Sequence, residues 1–381
     1  MIFPIKEFTK YNTPFYYYDI ELLRATLEEL RTQTCGEPFM VHYAVKANAN
    51  GRLLEVVKSA GLGADCVSGW EVEAAIKAGF APTDIVFAGV GKTDVEINYA
   101  LDKGIACFNV ESESELRVIN ELAAAKDVVA NVAIRVNPNI DAHTHKYITT
   151  GLSDNKFGIN LELLPHIVDV AQSLEAICLK GLHFHIGSQL TDFEPYKMLC
   201  NTVNGLQDEF EKKGVRFEII NVGGGLGVDY TNPDANGIAD FKTFFDVFKN
   251  NLKIRDGQKV HFELGRSIMA QCGSLITKVT YVKQSVTKKF AIVDAGMSDL
   301  IRPALYQAHH KIQNITSESS DIEKYDVVGP ICESADTFDM DIEMPTTQRG
   351  DLLAIRSAGA YGEIMASHYN LRPFAPSVMS E

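Results

Sequence analysis

The sequence predicts an α/β protein: a (β/α)8 barrel of the TIM-barrel class joined to a second, antiparallel β-domain. Three observations predict it. Eight short apolar runs alternate with helical patterns over roughly 240 residues, the span such a barrel needs. Polar residues of catalytic type gather at the C-terminal ends of those runs. After about residue 272 the texture changes to strand-like segments with no long helix between them.

The elements follow in order. The opening "MIFPIKEFTKYNTPF" carries Lys6, Glu7 and Lys10 where a secretory leader would be apolar, so no leader is expected. "TPFYYYD" (13–19) is strand-like and is expected to pair with the C-terminal sheet. That makes the second domain discontinuous, residues 1–27 plus 273–381, around a barrel at 28–272. The barrel runs are 39–45, 61–67, 84–90, 104–110, 131–137, 180–186, 217–223 and 259–265. Between them, Leu53, Val56, Val57 and Ala60 keep helical spacing, as do Val72, Ala75 and Ile76. Ser112 and Glu115 read as a capping box before Leu116, Ile119 and Leu122. "EPYKMLCNTVNGLQDEFEKKG" reads as a long helix closed by Gly214. "SLITKVTYVKQ", "KKFAIVDAG", "KYDVVGP" and "DLLAIRSAG" supply the later strands. A doubly wound open sheet is the rival; it would place its glycine signature after the first strand and not the seventh.

Composition bounds the function. A chain of 381 residues with net charge −14 and no basic cluster lacks the face that nucleic acid requires. No apolar run approaches membrane-spanning length. Seven scattered cysteines, never spaced as CxxC, fit free thiols in a reducing cytoplasm.

In a barrel, chemistry collects at the strand C-termini. Those ends hold Lys46, Asp65, Asn109, Arg135, His185, Gly223–Gly225, Glu263, Gly265 and Arg266. The seventh run enters "NVGGGLGVDY", whose glycines let backbone N–H groups close on an anion, and the eighth enters "ELGRS". Loops seven and eight are the usual phosphate site of such barrels. A phosphate cradle and a strand-end lysine point to pyridoxal 5'-phosphate, with the Lys46 amine forming a Schiff base to its aldehyde. Glu263 would keep the ring nitrogen protonated, and His185 would cover a ring face. The plain structural readings stand beside these: Lys46 as a solvated cation, Glu263 as an ordinary ion pair with Arg266, the glycines as a tight turn. His183 and His185, spaced i, i+2, also fit a metal-dependent barrel hydrolase. "VGKT" (90–93) ends like a P-loop but has Val86 where the first glycine belongs.

The motifs "YAVKAN" (43–48), "TGLSDNKFGI" (150–159), "GLHFHIGSQ" (181–189), "NVGGGLGVDY" (221–230), "ELGRSI" (263–268), "RPALY" (302–306), "VGPICES" (328–334), "GAYG" and "MASHYNLRP" run in this order along nearly the whole chain. In them the sequence resembles the diaminopimelate decarboxylase family, within the alanine-racemase-like class of pyridoxal-phosphate enzymes. The resemblance implies roles. Lys46 holds the cofactor, His185 stacks on its ring, and Ser188, Gly224, Gly225 and the Glu263–Gly265–Arg266 segment bind phosphate and ring nitrogen. Arg266, Arg302, Tyr306 and Glu333 recognise the substrate, Tyr361 touches both substrate and cofactor, and Cys332 donates the proton after decarboxylation. It implies a head-to-tail homodimer in which Cys332 and Glu333 reach the partner's barrel. The implied substrate is meso-2,6-diaminopimelate, yielding L-lysine and CO2. A relative acting on a D-amino acid or a carboxylated polyamine is the alternative. Leu264, Ala335 and His368 depart from the family's proline, glycine and asparagine. The 140–158 segment is a candidate lid with Gly151 and Gly158 as hinges.

Overall fold

The computed structural model describes residues 2–140 and 156–380. Residues 141–155, and with them Gly151, His143 and His145 of the candidate lid, lie outside the described residues. The chain packs as two compact units. One comprises Leu27–Gly227 and Asp240–Gly265, the other Met1–Thr26, Val228–Ala239 and Arg266–Glu381.

Strand β1 (Phe15–Tyr18) precedes the barrel and belongs to the second unit. The first unit contains β2 (Phe39–Ala44), β3 (Gly63–Cys66), β4 (Ile85–Phe87), β5 (Cys107–Val110) and β6 (Ala130–Asn137). It continues with the two-residue β7 (Ile159–Asn160), then β8 (Ile177–Phe184), β9 (Ile219–Asn221) and β10 (Lys259–Leu264). Each predicted apolar run overlaps one of the eight longer strands, with β6 and β8 starting one and three residues before theirs. They pair in parallel in the order β5-β4-β3-β2-β10-β9-β8-β6, and β5 also pairs with β6, which closes the ring. β7 adds to β6.

β10 shows why these strands form a barrel. Val260, Phe262 and Leu264 alternate with His261 and Glu263, and successive side chains of a strand face opposite sides. Phe262 packs edge-on to Phe39, Phe244, Phe245 and Phe248, the last three on the helix Phe241–Asn251. The other face is polar: Asn109 of β5 and His183 of β8 both bond to Glu263 of β10. Neither strand is a neighbour of β10, so these side chains meet only across the barrel interior.

Helix starts follow local capping. Asn50, Ser68 and Ser112 each accept a backbone N–H at the start of the helices Gly51–Ser59, Gly69–Lys77 and Glu113–Ala125. The Ser112–Glu115 box closes in one direction only, because Glu115 gives its carboxylate to the Glu111 N–H and to Lys92. The reciprocal box stands at Thr93 and Glu96, heading the helix Asp94–Lys103. The "VGKT" segment is therefore structural: Thr93 caps, and buried Lys92 donates to Glu115 and to the Gly89 and Asn109 carbonyls. The long helix runs Glu194–Lys212, and Gly214 follows with φ +80°.

The second unit holds β1, β11 (Gly273–Gln284), β12 (Lys289–Val293), β13 (Ile312–Asn314), β14 (Ile322–Val328), β15 (Thr337–Pro345), β16 (Leu352–Ile355) and β17 (Ser377–Met379). β1 pairs with β11, as the tyrosine-rich run predicts. Phe15 and Tyr17 enter a cluster with Phe8, Ile276, Leu352 and Ala354, while Tyr16 and Tyr18 stack on each other. The sheet is mostly antiparallel, as expected, with two parallel pairings, β12–β14 and β1–β17. The excursion 228–239, which the sequence reading places in the barrel, clusters with this unit for a visible reason. Tyr230 takes the Lys311 N–H on its carbonyl, Asp229 takes the Gln271 amide on its own, and Asp234 pairs with Arg356 at 2.7 Å.

Candidate active site

Lys46 sits in the turn directly after its strand. β2 ends at Ala44, and Val45–Ala47 form a 3₁₀ turn. The asparagines that follow are structural: Asn48 donates its N–H to the Val45 carbonyl and accepts the Tyr43 hydroxyl, and Asn50 caps the next helix. Gly265 presses on this turn, where a Cβ would lie 3.0 Å from Ala47 Cβ and 3.1 Å from Ala44 Cβ. The Lys46 ammonium lies 3.5 Å from Asp65 Oδ2 and remains partly exposed.

Asp65, at the end of β3, is fully buried, and its Oδ1 has no hydrogen-bond partner among the described residues. Burial, with the nearby charge of Glu263, pushes its carboxyl up to about 8 against the pull of Lys46. Glu263 behaves oppositely. Burial opposes its ionisation, but the charge and hydrogen bond of His183, helped by Lys46, hold it well below the usual carboxylate range. Asn221 and Asn109 donate to its Oε1 at 2.7 and 3.1 Å, and His183 Nε2 stands 3.0 Å from its Oε2. Burial thus favours the proton on Asp65, while His183 and Lys46 favour the charge on Glu263.

His185 follows β8. Its Nδ1 accepts the Gly224 N–H at 3.3 Å, which fixes the ring against the glycine loop. Burial, and then the charges of Lys46 and Arg135, hold it well below an ordinary histidine, so the ring is neutral. The glycine loop admits no side chain: a Cβ on Gly224 would lie 1.8 Å from the Glu263 carbonyl oxygen. Gly225, at φ +102°, would place one 2.5 Å from the Gly187 carbonyl oxygen. Leu190 donates to the Gly225 carbonyl and accepts from Gly227, tying the loop that carries Ser188 to the glycines. The donor set fits pyridoxal phosphate. An ionised carboxylate suits a protonated ring nitrogen, a neutral imidazole suits a ring face, an amine suits the aldehyde, and a side-chain-free glycine loop suits the phosphate.

The remaining predicted residues belong to the second unit. Arg302 is buried at the start of the helix Arg302–Tyr306, its guanidinium 4.8 Å from the Tyr230 ring centre. Arg266 donates to the Tyr230 hydroxyl at 2.7 Å and lies over the Tyr361 ring at 4.8 Å. Burial would raise the Tyr230 hydroxyl, but the two guanidiniums overcome this and lower it. Tyr361 holds φ +58°, an unusual backbone for a bulky residue. Tyr306, partly exposed, stands in the field of Arg266. Cys332 and Glu333 are exposed on the loop between β14 and β15. Asp336 pins that loop by accepting the Ile331 and Met297 N–H groups at 2.6 Å each. The Cys332 N–H reaches Asn370 Oδ1 at 3.4 Å, and the Tyr369 hydroxyl donates to Glu333.

Of the three departures, Leu264 completes β10 opposite Tyr43, His368 stacks on Phe374, and Ala335 gives its carbonyl to the Thr337 N–H.

Sequence reasoning passed over Asn221, Tyr230 and His310. Only Asn221 leaves a local sign: it stands two residues before Gly223, whose N–H it accepts at 2.9 Å. His183 enters the sequence reading as a possible metal ligand; the structure gives its Nε2 to Glu263.

Residues 22–270 match the family model described as "Pyridoxal-dependent decarboxylase, pyridoxal binding domain". A diaminopimelate decarboxylase of Bacteroides thetaiotaomicron is 56% identical over 381 residues, covering 100% of this chain and 98% of that one. One from Aquifex aeolicus is 42% identical and covers 97% of this chain and 87% of its own. Among solved structures, the Helicobacter pylori diaminopimelate decarboxylase complexed with L-lysine superposes with a TM-score of 0.94 at 41% identity, covering 99% of this chain and 94% of that chain.

Proposed function

The chain belongs to the diaminopimelate decarboxylase family of pyridoxal-dependent decarboxylases, and from that premise we propose that it converts meso-2,6-diaminopimelate to L-lysine and CO2. The observation that carries the substrate assignment is the pair of guanidiniums gathered on Tyr230. A diaminopimelate chain keeps a carboxylate at the end that does not react, and arginine binds carboxylates through paired hydrogen bonds. A simple diamine precursor has no such group to offer.

Pyridoxal phosphate, when bound, supplies an electrophilic aldehyde and a ring that takes up the electron pair left by the departing carboxylate. The chain supplies the rest. Lys46 would offer the amine that holds the aldehyde until a substrate amine takes its place. Asp65, carrying its proton, stands beside Lys46 Nζ without adding a second negative charge near Glu263. Glu263, held ionised, would face the ring nitrogen and favour a proton there. His185 covers one ring face as a neutral imidazole. Gly224, Gly225 and Ser188 receive the phosphate, with Gly265 shaping the Lys46 turn. Arg266, Arg302 and Tyr306 bind the retained carboxylate, and Glu333 binds the amine beside it. Cys332 would give the proton of its thiol to the carbon that has lost CO2, and Tyr361 would line the site beside cofactor and substrate.

The test is incubation of the holoenzyme with meso-diaminopimelate, ornithine and arginine, measuring released CO2 and lysine. Wild type should act on diaminopimelate, and Lys46→Ala should lose at least about a thousandfold, as expected when a covalent catalyst is removed. Equal turnover by the variant removes Lys46 from the chemistry.

The working form is a cytoplasmic homodimer with shared sites. Support comes from the exposure of Cys332 and Glu333 beside the exposed apolar Leu371 (94% accessible) and Phe374. Among the described residues, no helix is long and apolar enough to cross a membrane. Mixing inactive Lys46→Ala and Cys332→Ala protomers should restore about a quarter of wild-type activity if sites are shared, since subunits pair at random in twofold dimers. No recovery after exchange would mean that each protomer is self-sufficient.

A further inference from the structure

His310 is held so that its proton has only one place. Its Nδ1 lies 2.8 Å from the Arg356 carbonyl oxygen, which can only accept, so Nδ1 carries the hydrogen. Nε2 therefore presents a lone pair, and the Arg302 guanidinium donates to it at 2.7 Å. The ring is 1% exposed, and burial followed by the Arg302 charge holds it down at about 3. It is thus a fixed neutral acceptor aimed at Arg302. Its ring also meets the Tyr230 ring edge-on at 5.0 Å. Tyr230 offers its face to Arg302 and its hydroxyl to Arg266, and its carbonyl accepts the Lys311 N–H, next to His310 in sequence.

Two guanidiniums brought together repel each other, and each pays to leave water. Arg302 is 5% exposed, and the groups acting on it are Tyr230, Tyr361, Arg266 and the His310 ring, with no carboxylate among them. Such a cation, aimed by a neutral acceptor and spaced from its neighbour by an aromatic ring, is built to receive an anion from outside the chain. We infer that His310 and Tyr230 are positioning residues that orient Arg302 and Arg266 for the carboxylate retained by the substrate, and so set the preference for carboxylate-bearing chains over plain diamines. Neither contacts the reacting atoms. The inference rests on the assignment of the arginine pair to that carboxylate.

Calorimetric titration of the holoenzyme with L-lysine and with 1,5-diaminopentane tests it without turnover. The two ligands share a chain and both amines, and only lysine has the carboxylate. Wild type should prefer lysine. His310→Leu and Tyr230→Phe should each weaken lysine about tenfold or more, as loss of a hydrogen bond to a charged group does, while diaminopentane stays within about twofold. His310→Gln, whose amide oxygen can stand in for Nε2, should recover most of the lysine affinity. Should His310→Leu fail to fold, Tyr230→Phe, which keeps the ring, carries the test. Wild type binding the two ligands alike, or variants weakening both together or neither, overturns the inference. A wild type that prefers lysine yet releases no CO2 from diaminopimelate defeats the proposed reaction and leaves this inference standing.

Discussion

Glu263 keeps its charge where a lone carboxylate would take up a proton. Three donors, from Asn109, Asn221 and His183, come from three different strands, and each must be in place for the anion to survive burial. Glu263→Gln retains the shape and loses the charge, so in the proposed role the cofactor's ring nitrogen would lose its proton holder. Decarboxylation should fall about 10²- to 10³-fold, the scale of deleting one preorganised electrostatic group. Steady-state kcat/KM on diaminopimelate measures it, and a fall of less than about threefold would show that Glu263 does not serve the chemistry. Much at this scale was legible in the sequence. Lys46 and Glu263 stand out because an ionisable residue ending an apolar run in a barrel faces the mouth. Their supports do not stand out. His183 is bonded to a residue 80 positions away, and Tyr230 looks like the end of a glycine loop until β11–β17 fold beside it. Such pairings are made by the closed fold and leave no spacing to read.

At the scale of the element, local chemistry decides boundaries. Thr93 and Glu96 exchange bonds at the head of the helix Asp94–Lys103, and Gly104 ends it at φ +66°. Thr93→Ala should cost about 1 kcal/mol of stability, as cap removal commonly does, seen as a lower urea midpoint with unchanged decarboxylation. A loss of activity larger than the loss of folded protein would give this segment a role beyond the cap. Strands whose residues alternate or run apolar were legible, including all eight of the barrel. The short β13 and β17 and the acid-studded β15, "TFDMDIEMP", were not. Their pairing comes from neighbours distant in sequence. Strand direction was also beyond local reading: nothing in "KKFAIVDAG" says that its partner β14 runs parallel to it.

Across the whole molecule, buried histidines tie stability to pH. Burial pushes His261 to about 2, with His42 adding, and His310 to about 3. The unfolded chain binds a proton on each near pH 6.5, and the folded chain does not until far lower pH. Their stabilisation is therefore full above about pH 6.5 and is lost as pH falls toward the folded values, at about 1.4 kcal/mol per pH unit for each group. His261→Asn can still donate to His42 and removes one of the two protons. Its stability should fall less steeply between pH 6 and 4.5, by about one proton's worth, in denaturant titrations at several pH values. An unchanged slope would mean that His261 is protonated in the folded protein.

The polypeptide passes between its two units at four places, after Thr26, Gly227, Ala239 and Gly265. No single scission can therefore release either unit as one uninterrupted piece. A gene fragment spanning the barrel carries the 228–239 excursion with it, stripped of the Arg356 and Lys311 contacts that anchor it. Anyone grafting this barrel onto another partner must transplant two separate stretches of sequence, Leu27–Gly227 and Asp240–Gly265, and bridge the gap left where the excursion is cut out.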